Sequence, residues 1–180
     1  EPVIKETFLD SRHQYVTVKT DVIDVTLYTL GGDIVEVKLL KNLTEMAVDG
    51  GQPITLLTRS NGDLFVAESG LIGKDGTDTA NGRPQFSSLS SSYELLEGES
   101  SLNVDLVYAQ NGVDITKRFE FKPSDYQIGI SYLINNPTLD PWSATFFGQF
   151  KRDDHEPESS ASAGMKPYLG AALREQDQNY

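Results

Sequence analysis

Two short acidic runs in this sequence have residue types that could hold a metal ion. Asp153–Glu156 (DDHE) places a histidine among three carboxylates. Metal sites collect ligands from separate elements and fix each histidine through a further hydrogen bond, so consecutive residues fit a solvated acidic loop better. Asp75–Asp78 (DGTD) has the acids of a calcium loop without its spacing or its closing glutamate. We predict an Asp-Gly turn there, and we expect no metal and no cofactor.

The residue inventory gives little support for nucleophilic or acid–base catalysis. The sequence has no cysteine and two histidines, His13 near the start and His155 in the acidic run. Neither lies on a patterned element that could orient it as a base. The 27 acidic residues make paired carboxylates possible, but their spacing identifies no two that would face each other across a cleft. We predict that the chain is not an enzyme, and we assign no catalytic, cofactor-binding or metal-binding residue.

Three aromatic residues, Trp142, Phe146 and Phe147, could form either a platform for a sugar ring or part of a core. Aromatic side chains that alternate along a strand are usually core residues. We therefore expect these three to pack inside the protein.

Alternation of apolar and polar residues predicts strands through most of the chain. The clearest case is Val113–Phe121, where apolar residues share one face and Lys117 is the polar exception on it. The same pattern occurs at 23–27, 35–39, 126–134 and 142–150. The apolar residues are mostly β-branched or aromatic, which suits a pleated surface. We predict an all-β chain of about nine or ten strands.

Turn-forming residues separate these strands. Asn111-Gly112 favours the positive φ angles of a type I′ hairpin turn, and Gly31-Gly32-Asp33 separates two earlier strands. Further turns at 123–125 and 135–137 are spaced like the connections of a meander. Gly70–Pro84 is predicted to be a long loop, a type that is usually functional or disordered.

The remaining segments lack a strand pattern. Residues 1–14 have no sustained periodicity, and Asp153–Gly164 is acidic and serine-rich, which predicts an exposed, mobile segment. Pro167–Tyr180 fits either a short helix or a strand followed by a turn. The pattern does not decide between the two.

Composition excludes several classes of partner. The chain has 180 residues, which suits one domain. Its 15 basic and 27 acidic residues give a net charge of −12, which argues against binding nucleic acid or anionic lipid. No apolar run approaches the roughly 18–20 residues that span a bilayer. The sequence starts without Met and without a signal sequence, which we interpret as a mature piece or a part of something longer.

Several strings, taken in order, resemble the large periplasmic domain of the YidC family of bacterial membrane protein insertases. They are TDVIDVTL at 20–27, TLGGDI at 29–34, GLIGKDG at 70–76, ANGRP at 80–84, TKRF at 116–119, DYQI at 125–128, FGQ at 147–149 and GAA at 170–172. The strings occur in the family's order, and the resemblance covers residues 15–180.

The resemblance implies a twisted β-supersandwich of mainly antiparallel strands, similar to galactose mutarotase-like domains. Residues 1–14 would be the end of a linker and 15–180 a periplasmic β-sandwich domain, truncated at its C-terminal side because the family's domain runs on. Mutarotases use a histidine acid and a glutamate base on strands. Both histidines here lie outside the predicted strands, so that chemistry is not carried over.

The resemblance also implies a function. The chain would be a non-catalytic domain on the periplasmic side of the bacterial inner membrane, acting as a scaffold or interaction module in insertion. Its partners would be the Sec translocon with its accessory subunits and, through the parent protein, nascent inner-membrane proteins. The domain itself would not span the membrane. The alternative is a carbohydrate-binding module that uses the sandwich cleft, which requires exposed aromatic residues and a carboxylate or amide lining a concave face.

Overall fold

The computed structural model describes residues 14–45, 50–60 and 62–154, and it contains ten β-strands and no helix within those ranges. The strands are β1 Tyr15–Lys19, β2 Ile23–Tyr28, β3 Asp33–Leu43, β4 Pro53–Ser60, β5 Asp63–Ile72, β6 Ser92–Glu94, β7 Leu102–Gln110, β8 Val113–Phe121, β9 Gly129–Asn135 and β10 Thr145–Arg152. The all-β prediction is confirmed.

The strands form a large sheet and a small sheet. The large sheet has the order β10-β5-β4-β3-β2-β1-β6, and only the short β1–β6 pairing is parallel. The small sheet is the antiparallel meander β7-β8-β9. The chain crosses between the sheets beside the fully buried Phe86, where Ser87 forms a bridge with Val107.

The two sheets pack face to face around a shared core. Val25 and Val37 of the large sheet belong to the same buried cluster as Leu106 and Phe119 of the small sheet. Burial alternates residue by residue along β8, as the period-two pattern predicts for a strand with one buried face. The architecture is a sandwich with a three-stranded layer on a seven-stranded one.

The β7–β8 hairpin has the predicted tight turn. Gln110 pairs directly with Val113, so the loop consists of two residues. Asn111 has φ 52° and Gly112 has φ 80°, the positive values that a type I′ turn requires.

Two predicted boundaries are wrong. The loop expected from Gly70 begins only after Ile72, because Leu71 and its neighbours pair with β10 and extend β5. The predicted meander ends at β9, since β10 leaves the small sheet and pairs with β5 of the large one.

Several predictions concern residues that the structure does not describe. They are those for His13, for His155 and the rest of the serine-rich run, and for Pro167–Tyr180.

The hairpin turn gives a test of the local backbone geometry. Replacing Gly112 by Val should destabilise the chain by about 1–3 kcal/mol, because a β-branched residue is strained at positive φ. The nearest side-chain atom to a new Cβ would be Thr138 Cγ2 at 3.7 Å, so crowding contributes little. Urea unfolding measures the change. Ala109→Val, on the exposed side of β7, is the control and should stay within about 0.5 kcal/mol. Equal midpoints for the two variants would contradict the turn assignment.

Candidate functional site

Lys117 is a fully buried lysine at the centre of the sandwich. Its Nζ donates hydrogen bonds to the carbonyl oxygens of Gly31 at 3.0 Å and Ser69 at 2.8 Å. Gly31 lies in the β2–β3 turn and Ser69 in β5, so this side chain of the small sheet reaches across to the large sheet. Burial lowers the pKa of Lys117 to about 7, although attraction to Asp33 opposes that shift.

Arg83 reaches the same place from the connection at residues 73–84, which we call the strap. Its Nε donates to Asp78 Oδ1 at 2.7 Å, and its Nη1 pairs with Asp33 Oδ2. Its Nη2 donates to the carbonyl oxygens of Ser69 at 2.8 Å and Gly31 at 3.4 Å, the two acceptors that Lys117 uses. We call Asp33, Asp78, Arg83 and Lys117 the ion cluster.

The two glycines of the β2–β3 turn allow both cations to come this close. A Cβ on Gly32 would lie 2.8 Å from Lys117 Cδ, and one on Gly31 would collide with the guanidinium of Arg83. Both residues also have positive φ, 81° and 64°. The turn predicted from Gly31-Gly32-Asp33 thus leaves the space that the side chains of Arg83 and Lys117 occupy.

One polar atom in the ion cluster and one next to it are buried and have no hydrogen-bond partner within the described residues. They are Asp33 Oδ1 and the hydroxyl oxygen of Tyr132 on β9, whose ring centre lies 5.6 Å from Lys117 Nζ. Burial raises the pKa of Asp33, although the hydrogen bond from Arg83 opposes it, and burial raises the pKa of Tyr132 as well. Both pKa values rise because burial removes the water that would stabilise the charged form of each group.

The cluster is enclosed by protein, which limits its chemistry. A substrate would have to separate the two sheets to reach the amine of Lys117. Asp33 and Asp78 are already engaged by Arg83. The arrangement is therefore suited to joining the sheets and the strap.

The acids of the candidate calcium loop are hydrogen-bonded within the chain. The backbone N–H of Asp75 donates to Ser143 O at 3.0 Å, and the backbone N–H of Ser143 donates to Asp75 Oδ2 at 2.8 Å. Asp78 Oδ2 accepts from Leu71 N at 3.0 Å, and Gly76 N donates to Gly73 O at 3.3 Å in a turn. In the described part of the chain, no three acidic or histidine residues are grouped so that they could hold a metal ion.

The start of the other acidic run is attached to the large sheet. The backbone N–H of Asp153 donates to Leu64 O at 2.9 Å, and its carboxylate accepts from Leu64 N. Asp154 is exposed, and His155 and Glu156 lie outside the described residues. The prediction of an exposed segment is thus incorrect for Asp153, which is partly buried.

The expectation that Phe146 lies in the core is wrong. Phe146 pairs with the buried Leu71 and its ring contacts Tyr132 at 6.1 Å, so it points toward the small sheet. It is nevertheless 55% exposed, and Phe150 on the same face is 72% exposed. Among the described residues, the small sheet ends at β9 and does not cover these two rings. Phe147 and Trp142 are partly buried, and Trp142 packs against the core.

We call this uncovered region the lateral opening, formed by Tyr132 on β9 and by Phe146 and Phe150 on β10. Phe65 of β5 extends it, with its ring 5.9 Å from that of Phe150. Within the described residues, β9 pairs with β8 alone, so one edge of that strand lies open beside the opening.

A shallow groove of about 390 Å³ lies on the outer side of the small sheet. It is lined by Asn103, Arg118, Glu120, Gly129, Ile130 and Ser131. Arg118 is held by two 2.7 Å hydrogen bonds to Asp105. None of the lining residues is aromatic, so the groove lacks the ring platform on which the carbohydrate hypothesis depends.

Parts of this site could be predicted from the sequence, but their association could not. Lys117 was visible as a polar residue on an apolar strand face, and Asp33 as part of a glycine turn. Arg83 and Asp78 carried no local signal beyond their position in a long loop. A lysine on a buried face requires buried partners, and that requirement was the one available clue.

Three known proteins that are similar to this chain belong to the family that the sequence motifs resemble. The sequence profile of the YidC periplasmic domain family matches residues 15–180. A relative in Cellvibrio japonicus is 47% identical over 94% of this chain and 31% of its own length. A relative in Stutzerimonas stutzeri is 43% identical over 93% of this chain and 30% of its own length. One in Saccharophagus degradans is 44% identical over 92% of this chain and 29% of its own length. All three are named membrane protein insertase YidC, and the chain spans about a third of their length.

The ion cluster provides a mutational test with an internal control. Arg83→Met should destabilise the chain by about 3–5 kcal/mol, because it removes the ion pairs of Arg83 with the buried carboxylates of Asp33 and Asp78. Arg118→Met removes the well-formed but more exposed pair with Asp105 and should cost about 1 kcal/mol or less. Urea unfolding of both variants measures the difference. Similar losses would show that the cluster does not hold the sheets together.

Proposed function

The chain belongs to the YidC periplasmic domain family, and from this we propose that it is a non-catalytic scaffold and interaction module of a membrane protein insertase. It works on the periplasmic side of the inner membrane. Residues 1–14 end a linker, and the domain begins at residue 15. The described residues contain no helix long and apolar enough to cross a membrane.

The placement of reactive side chains supports a non-catalytic role. Lys117, whose lowered pKa would make its amine nucleophilic near neutral pH, is sealed in the core and hydrogen-bonded. Asp33 and Asp78 are engaged by Arg83. An enzyme needs such groups at a surface that substrate can reach. In this chain they hold the scaffold together.

The lateral opening is the observation that carries the interaction role. It combines two exposed phenylalanine rings, Phe146 and Phe150, with the open edge of β9. An extended segment of a partner could hydrogen-bond to such an edge while its apolar side chains cover the rings. The proposed partners are accessory subunits of the Sec translocon, with nascent inner-membrane proteins as clients of the parent protein.

Insertion itself falls to membrane-embedded parts of the parent protein. Moving an unpaired polar backbone group into lipid costs several kcal/mol, and only a path inside the bilayer reduces that cost. A sandwich with a net charge of −12 provides no such path. The domain therefore serves by positioning partners.

Removing the domain from the full-length insertase tests this division of labour. Excision of most of residues 15–180 should leave basic insertion activity largely intact, while co-purification of Sec accessory subunits should fall. Complementation of a depletion strain and affinity purification measure the two effects. If the excised protein is expressed and membrane-integrated but fails to insert simple clients, the domain takes part in insertion directly.

Photocrosslinking tests the lateral opening. A photoreactive amino acid at Phe150 of the full-length insertase should crosslink to a Sec accessory subunit in membranes. Tyr15 provides the control, because it is 43% exposed on the outer face of the large sheet. Crosslinks from Phe150 that stay within the insertase would show that another part of the same protein covers the opening, and would refute the docking role.

A further inference from the structure

Several features around Lys117 favour the neutral form of its amine. Its hydrogen bonds go to two carbonyl oxygens, those of Gly31 and Ser69, and a neutral amine has two N–H groups to give. The guanidinium of Arg83 donates to the same two oxygens and places a second cation beside it. Complete burial and the neighbouring guanidinium disfavour a proton on the amine.

The charged groups that act on the Lys117 amine lie in β3 and in the strap. Asp33 of β3 and Asp78 of the strap attract a proton to the amine, while Arg83 of the strap repels it. Tyr132 of β9 presents its ring to the amine, with the ring centre 5.6 Å from Nζ, and Glu68 of β5 acts on the cluster through Asp33. The opposing influences leave the amine close to balance at neutral pH.

We propose that Lys117 is a pH-sensitive clamp between the two sheets, which loosens when the amine carries a proton and tightens when the proton leaves. On deprotonation one N–H bond of the ammonium breaks and water takes the proton; no other covalent bond changes. Because the lysine joins β8 to the β2–β3 turn and to β5, the change acts on the contact between the sheets.

The sign of the effect follows from proton binding. In the unfolded chain, lysine holds its proton up to the ordinary pKa of 10.5, whereas the folded chain releases it at about 7. Between those values the unfolded chain binds more protons, so the folded state gains stability as pH rises. Below about pH 7 both states are protonated, and this contribution stays constant.

Nuclear magnetic resonance on the wild-type chain tests the clamp directly. In a sample with labelled lysine side chains, the Lys117 amine should titrate with a midpoint near pH 7. The amides of Gly32 and Gly70 share peptide groups with the two acceptor carbonyls, so their shifts should follow the midpoint of Lys117. A Lys117 midpoint above about pH 9, or amides that show no matching step, would overturn the proposal.

Unfolding experiments test the effect on stability. Between about pH 7 and pH 9, the unfolding constant of the wild type should fall by up to about tenfold per pH unit relative to Lys117→Met. Lys122→Met is the control and should keep the wild-type slope. Equal slopes for the wild type and Lys117→Met would also overturn the proposal, and the side-chain titration decides the matter if that variant does not fold.

Discussion

Arg83 and Lys117 donate hydrogen bonds to the same two backbone carbonyls, those of Gly31 and Ser69, and the packing of the sandwich depends on this sharing. One cation arrives from the strap and the other from the small sheet. In water two such groups would stay apart, but here the carboxylates of the ion cluster hold them together in a medium where charges interact strongly. The β2–β3 turn, β5, β8 and the strap therefore meet at one point.

The strands could be predicted because they follow from local pattern. Alternation along Val113–Phe121 gave the buried face of β8, and Asn111-Gly112 gave the hairpin. The ion cluster could not be derived in this way. Lys117 is 86 residues from Gly31 and 48 from Ser69, and a period-two pattern contains no information about such distances. Pattern identified a lysine that needs partners but did not identify the partners.

Phe146 and Phe150 illustrate a second limit of local reasoning. Their alternation correctly places them on the inner face of β10. Whether an inner face is covered depends on the width of the opposite layer, and the small sheet has three strands against seven. In the part of the chain that the structure describes, the same mismatch in width leaves one edge of β9 without a partner strand. Family membership, rather than any motif of reactive residues, connects this sandwich with insertion.

The wide separation of the cluster residues along the chain affects the order in which the domain can fold. Synthesis runs from the N-terminus at about 5–20 residues per second, so Arg83 exists for a few seconds before Lys117 is made. During that interval β1 to β5 can pair, but their inner face has no opposing layer and two carbonyls lack their lysine. Long-range closure of this kind makes folding slow. The contacts of Lys117 that join the two sheets can form only after β8 has been made.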